Sequence, residues 1–453
     1  MASQPADLTM HVTALQHFEA GRLAEAAAIC KTILQRVPHD WLALRMLGGV
    51  REKEGDFEQA AQYFTAALQA APPETADTVN LLNELASVLL KKRDYEGAFN
   101  CYRLALAQDP RDPGTLSSCG HALAELNCHA ETLDLFRLAL AVAPGSAKLR
   151  HNEAIAMLAL GMWPEGWERL EARLEIPSLH VADGFPVEVP HWRGQTDISG
   201  KTILLHAEQG LGDTLQYVRY VPLVAERGAR IVLRVPPVLG KLLANFPGAD
   251  KVITFFDHAE NVDFQCPLMS LPFVFGTTVA NVPARIPYLS VPLEYLLLWQ
   301  ALLGIRRRKR IGIAWSGTRH QPHRSLPLAQ LAPLLQRPDL EFHALQHEIP
   351  QADRAWLDAH PVVVDHSADL KEFADNAAVV ALMDMVVSID TSLAHLAGAL
   401  GKPLAIMLPF SADCRWLIGR SDTPWYPTAR LFRQQRLDDW GGVVAEVAQV
   451  LSV

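Results

Sequence analysis

Two short segments carry residue types suited to holding a phosphorylated ligand and moving a proton. In HAEQGLGDTLQYVRY (206–220), Gly210 and Gly212 permit a tight turn straight after an apolar run, and Asp213 follows in the first turn of a helix. In SIDTSLAHLAGALGKP (388–403), an apolar strand ends at Asp390, Thr391 and Ser392 open a helix, and His395 lies one turn in. Hydroxyls and free backbone amides at a helix N-terminus suit a diphosphate, and a carboxylate such as Asp213 suits removal of a hydroxyl proton. A third segment, WSGTRHQPHRSLP (315–327), adds the cations Arg319 and Arg324 with His320 and His323, which can offset phosphate charge. Plainer readings stand beside these. Asp213 fits an ordinary N-cap, and His395 fits a residue packed inside a capped helix. His320 and His323 lack the further ligands of a zinc site.

The elements around these segments read as alternating strands and helices. After Pro177 a Pro-rich polar connector gives way to TILLHAE (202–208), a helix from about Asp213, RIVLRV (230–235), a helix near Leu239, KVITF (251–255) and a last helix near Leu296. A second half restarts at RIGIAW (310–315) and continues through FHALQ (342–346), VVVD (362–365), MVVSID (385–390) and PLAIMLP (403–409). Two Rossmann-like lobes in tandem follow from this pattern, with ligands at the carboxyl ends of the strands. Ser316, after the first strand of the second lobe, and Gln346, at the end of its second strand, join the candidate ligand contacts at that edge.

The first part of the chain is organised differently. Pro38, Pro72, Pro110 and Pro144 recur at spacings of 34, 38 and 34 residues. Ala26, Ala60 and Ala98 lie twelve residues before a proline, and Cys30, Phe64, Tyr102 and Phe136 lie eight before one. Antiparallel helix pairs need a small residue where backbones approach and a bulky one to fill the next layer. The period and the pattern resemble the tetratricopeptide repeat, with about five copies over residues 1–176 and a degenerate last one containing Gly161, Trp163, Gly166 and Trp167. Its concave face is expected to take an extended peptide or a protein.

Composition narrows the function classes. A formal charge of −9 argues against a nucleic-acid partner, and the one basic run, 306–310, reads most simply as a solvated connector. Six cysteines without a CxxC pair suggest neither a disulfide framework nor a zinc site, so a reducing, cytoplasmic location is expected. No signal peptide and no stretch long enough to span a membrane is apparent, which leaves only a peripheral membrane role.

Segment 388–403 resembles the Asp-Thr-x-x-x-His signature of lipopolysaccharide heptosyltransferases, and 206–220 resembles the Gly-Asp element of their first lobe. With WSGTRHQPHRSLP and the ending WYPTARLFRQ, the chain is similar throughout to bacterial tetratricopeptide-repeat glycosyltransferases. The resemblance implies a repeat solenoid followed by a GT-B fold of two Rossmann-like lobes, with a connector at 177–200, an acceptor-side lobe at 201–304 and a nucleotide-sugar lobe at 305–453. It implies Asp213 as general base and Asp390, Thr391, Ser392 and His395 at the donor diphosphate; Gly210, Gly212, Ser316 and Gln346 are further expected donor contacts, and Arg324 joins them through the basic segment rather than as a matching residue. Arg324 stands where heptosyltransferases often carry Lys. Cys414, in Asp413-Cys414-Arg415-Trp416, departs from an Asp-Trp-Arg-Trp pattern. The activity implied is inverting transfer from a nucleotide sugar without a cofactor or metal, and the repeats point to a protein acceptor such as flagellin. Two alternatives remain open: a lipopolysaccharide-type glycan as acceptor, and an inactive scaffold or nucleotide-binding module.

Overall fold

The computed structural model describes residues 5–179, 189–257, 259, 261–317 and 322–451. Two compact units divide the chain, Met1–Ala156 and Met157–Val453.

The first unit is a solenoid of antiparallel helix pairs: α1 (Pro5–Glu19) with α2 (Leu23–Arg36), α3 (Trp41–Glu54) with α4 (Phe57–Ala70), α5 (Ala76–Lys91) with α6 (Tyr95–Gln108), and α7 (Pro113–Glu125) with α8 (His129–Val142). Local sequence starts these helices. Asp40, Asp56, Asp94 and Asp112 each accept a hydrogen bond from the backbone N–H three residues on, the N-cap arrangement that satisfies an otherwise orphaned donor. Gly55, Arg93 and Asn127 take positive φ at the turn inside successive pairs. The large residue of each second helix faces a small residue sixteen positions earlier: Ala14 with Cys30, Gly48 with Phe64, Ala86 with Tyr102, Gly120 with Phe136. All of these except the two glycines belong to the buried hydrophobic core. The phenylalanines meet glycine, and a Cβ at Gly48 or Gly120 would come within 2.8 Å of the facing ring. The other two pairs, Ala14 with Cys30 and Ala86 with Tyr102, carry alanine at the small position.

The unit boundary falls within α9 (Ala147–Ala159), twenty residues before the expected limit at 176. The reason is aromatic. Trp163 and Trp167, on α10 (Trp163–Leu170), pack inside the second unit: Trp163 stacks on Trp425 at 5.2 Å, and Trp167 meets Tyr217 edge-on at 6.4 Å. Part of the expected connector, 180–188, lies outside the described residues.

The second unit holds two parallel sheets. β1 (Thr202–His206), β2 (Arg230–Val235), β3 (Lys251–Thr254) and β4 (Phe264–Pro267) form one, in the order β3-β2-β1-β4. β5 (Lys309–Ala314), β6 (Leu340–Ala344), β7 (Val363–Asp365), β8 (Met385–Ile389), β9 (Leu404–Leu408) and β10 (Ala429–Arg433) form the other, in the order β10-β9-β8-β5-β6-β7. The second order is that of a doubly wound sheet, whose direction of winding reverses between its first and fourth strands. Here those are β5 and β8, paired from Ile311 with Met385 to Ala314 with Ser388. Strands covered on both faces are almost wholly apolar, as in β9, where every residue is buried. The architecture is therefore α-helical repeats followed by α/β, as the sequence pattern indicates.

Two strands escape the sequence pattern. β4 is four residues long and ends in proline, and β10 carries Arg430 and Arg433 at the edge of its sheet, where charge blunts an open edge. The helix Leu293–Leu303, placed by sequence at the end of the first lobe, packs on helix Phe373–Ala381 of the second, with Trp299 Nε1 donating to Asp375 Oδ1 at 3.0 Å. No described helix is long and apolar enough to cross a membrane.

Candidate functional site

The reversal between β5 and β8 opens the carboxyl edge of the six-stranded sheet, where open α/β sheets place ligands. The two sequence-marked segments of the second lobe leave the sheet at this point: Trp315, Ser316 and Gly317 after β5, and Asp390, Thr391 and Ser392 after β8. Arg319 and His320 lie outside the described residues.

Each predicted residue has a definite local role. Thr391 caps helix Ser392–Ala399, accepting from the Leu393 N–H at 3.3 Å and facing Ser388 Oγ at 3.2 Å. Ser392 opens that helix, half-buried. Gln346 is a loop anchor: its Oε1 accepts from the N–H groups of Trp315 at 3.0 Å and Ser316 at 3.2 Å, and its Nε2 donates to Ser316 Oγ at 2.7 Å. Gly210 is the N-cap of helix Leu211–Tyr217, and its N–H donates to Asp213 Oδ2 at 3.0 Å. Gly212 is required by proximity, because a Cβ there would stand 2.7 Å from His395 Cδ2. The helices that follow β1 and β8 thus meet at their first turns.

Charge at this meeting point forms an alternating chain. Arg415 Nη2 donates to Asp213 Oδ1 at 2.7 Å, and its Nε donates to Asp413 Oδ1 at 3.0 Å. Arg324 Nη2 donates to Asp413 Oδ2 at 3.2 Å, while its Nη1 lies 3.0 Å from Asp390 Oδ2. Three carboxylates therefore share two guanidiniums. Burial raises Asp390 above the ordinary carboxylate range, with Asp413 adding to the effect against Arg324. Burial acts the same way on Asp413, but Arg415 and Arg324 outweigh it and hold that carboxyl well below its usual value.

His395 is buried, and burial together with Arg415 drives its pKa well below the ordinary value, so the ring is neutral near pH 7. Arg415 Nη1 approaches His395 Nε2 at 3.4 Å, and Tyr426 OH lies 2.8 Å from Nδ1. A guanidinium can only donate, so Nε2 accepts and Nδ1 carries the proton toward Tyr426. Trp416 stacks on the other side of the imidazole at 5.5 Å. The plainer reading of His395 as a packed histidine describes this environment well.

Several residues here were not singled out by sequence reasoning. Arg415 also donates to Gln216 Oε1 at 2.9 Å and is the hub of the chain. Its only sequence signal was its place in Asp413-Cys414-Arg415-Trp416, which motif comparison marks without assigning a role. Cys414 is half-buried within that turn, and desolvation followed by Asp413 pushes its thiol well up. Arg219 stacks against Tyr288, Trp425 and Tyr426 and donates to the Trp425 carbonyl at 2.7 Å. Arg173 clasps Glu208 through two hydrogen bonds of 2.9 and 2.7 Å, fixing the turn that leads to Gly210.

Comparison with known proteins identifies the repeats. Residues 12–75 and 81–114 match tetratricopeptide-repeat families, so the first unit is a repeat module for protein–protein interaction. Protein FlbA of Caulobacter vibrioides is 23% identical over 537 residues, spanning 97% of this chain and 88% of the relative. A peroxisomal targeting signal receptor of Kluyveromyces lactis is 28% identical over 133 residues, and the match spans only 29% of this chain and 23% of the receptor. Among solved structures, YrrB, described as a TPR protein with an unusual peptide-binding site, aligns at 20% identity and TM-score 0.34 over 37% of this chain and 85% of its own. MamA aligns at 16% identity and TM-score 0.33 over 35% of this chain and 91% of its own.

Proposed function

We propose that this protein is a glycosyltransferase with a GT-B-type second unit, moving a sugar from a nucleotide sugar to a protein acceptor recruited by the repeats. The observation that carries the reading is the convergence of Thr391, Ser392, Arg324 and Arg415 on the sheet reversal, where helix N–H groups and guanidiniums face one edge. The donor diphosphate would take guanidinium contacts now held by carboxylates. Transfer of Arg415 to phosphate releases Asp213 Oδ1, which then accepts the acceptor hydroxyl proton as the acceptor oxygen bonds to the anomeric carbon and the sugar–diphosphate bond breaks. Donor binding and base activation are linked in this scheme. Extended-peptide recognition is the corresponding role for the repeats, in keeping with a surface protein such as flagellin as acceptor.

The test is equilibrium binding and hydrolysis of UDP-, GDP-, ADP- and CMP-sugars by the full chain, the Asp213→Asn variant and the Asp390→Ala variant. Asp213→Asn is expected to retain donor binding and lose turnover. Absence of binding to every donor would sink the proposal. A second reading, a scaffold without turnover, draws on the fact that both guanidiniums are already occupied by carboxylates. That reading expects no nucleotide binding while capture of a protein partner by the immobilised chain persists.

A further inference from the structure

Helix Leu293–Leu303 buries one face through Trp299 and leaves the other in solvent, although that other face is also apolar. Leu293, Leu297, Leu298 and Leu302 are 65%, 56%, 52% and 57% exposed, and Ile305, just past the helix, is 87% exposed. At about 100° per residue the four exposed leucines border the solvent side of the helix, Leu293 and Leu297 on one flank and Leu298 and Leu302 on the other, with Ala301 and the polar Glu294 between them opposite Trp299. Single exposed leucines are ordinary, but five large aliphatic side chains grouped on one short segment are a contact surface.

The residues just after the helix set the chemistry of the partner. Arg306, Arg307, Arg308 and Lys309 are all exposed and continue directly from the apolar stripe. Arg306 is paired with Asp384 at 2.9 Å, whereas Arg307 and Arg308 make no ion pair among the described residues. This cationic end stands out on a chain of net charge −9. An apolar helix face flanked by unpaired cations matches a lipid surface, with aliphatic side chains at the headgroup–acyl boundary and guanidiniums at lipid phosphates. Eleven residues give a helix about 16 Å long, suited to lying in the interface and too short to cross it.

We propose that residues 293–309 form a docking surface for anionic membranes. The basic run, read from sequence as a solvated connector, then has a ligand, and the inference is independent of any transfer chemistry in the second unit. The test is co-sedimentation of the full chain with vesicles of phosphatidylcholine alone or mixed with phosphatidylglycerol. The chain is expected to pellet with the mixed vesicles and to be released by added salt. Arg307→Gln with Arg308→Gln should lower partitioning roughly 25-fold, about fivefold for each charge. Leu297→Gln with Leu302→Gln should also lower it, with circular dichroism melting unchanged because both leucines are more than half exposed. No sedimentation with anionic vesicles, or sedimentation that neither pair alters, overturns the proposal. So does a concentration-dependent dimer that the leucine pair dissolves without any vesicle binding, which would assign the face to self-association.

Discussion

Arg415 Nη2 donates to Asp213 Oδ1 at 2.7 Å, joining the turn after β1 to the segment between β9 and β10. The same guanidinium holds Asp413 and Gln216, so three acceptors from two parts of the unit depend on one planar donor. Removing it as Arg415→Ala leaves the half-buried Asp213 without its guanidinium and Asp413 with Arg324 alone, and should cost about 1–3 kcal/mol in urea unfolding. Arg415→Lys should also destabilise, because a single ammonium cannot reproduce the fork. A lysine variant of wild-type stability would show that the fork is dispensable.

Gly212 is a steric requirement for the approach of two helices. The Cβ of Gly212→Ala would press on His395, whose ring is held by Trp416 stacking and by Tyr426 and cannot retreat. The expected loss is about 1–3 kcal/mol, the usual range for overpacking. Urea midpoints of the variant and the wild type give the answer, and an unchanged midpoint would mean that the helices separate freely.

In the solenoid, Gly48 and Phe64 form a pair that can be tested by a double-mutant cycle. Gly48→Ala drives a methyl into a ring edge 2.8 Å away and should destabilise by about 1–3 kcal/mol. Phe64→Leu removes the clash along with the ring. The double variant should therefore fall short of the sum of the single losses by about 0.5–3 kcal/mol, the range for residues in contact. Strict additivity would contradict the close approach.

Acid should destabilise the second unit before its carboxylates titrate. Burial lowers His343 to about 3, with His366 and Arg310 adding to the effect. Burial also lowers His366, His206 and His395. Each folded value is depressed, so the stabilisation is present above the unfolded value of about 6.5 and is lost as pH falls from there. For His343 the slope is about 1.4 kcal/mol per pH unit below about 6.5. Asp390 acts in the opposite sense: its folded value is raised, so its contribution is present at low pH and is lost as pH rises through that value. Urea unfolding between pH 7 and 5 should show falling stability, with a shallower slope in His343→Gln. A flat profile would mean that the histidines are solvated in the folded chain.

Much of the fold can be read locally. The solenoid is legible because its rules act within tens of residues: prolines recur at spacings of 34, 38 and 34, with alanines twelve positions before three of them and larger residues eight before all four. The buried parallel strands are legible as apolar runs, except where β4 and β10 are short or charged. The turns at Gly210 and Thr391 are legible as helix starts.

The sequence by itself determined the repeat period, the α/β alternation and the positions of the two helix starts, because each depends on backbone geometry and patterning over short spans. Only the tertiary structure decided what those helix starts face. The contact of Gly212 with His395 joins residues far apart in the chain, as does the run of charge from Asp213 through Arg415, Asp413 and Arg324 to Asp390. Side-chain electrostatics at such range follows from chain crossing and burial, which no local pattern encodes. For the same reason, Asp213, read from sequence as a general base or an N-cap, is in the folded chain a carboxylate tied to an arginine.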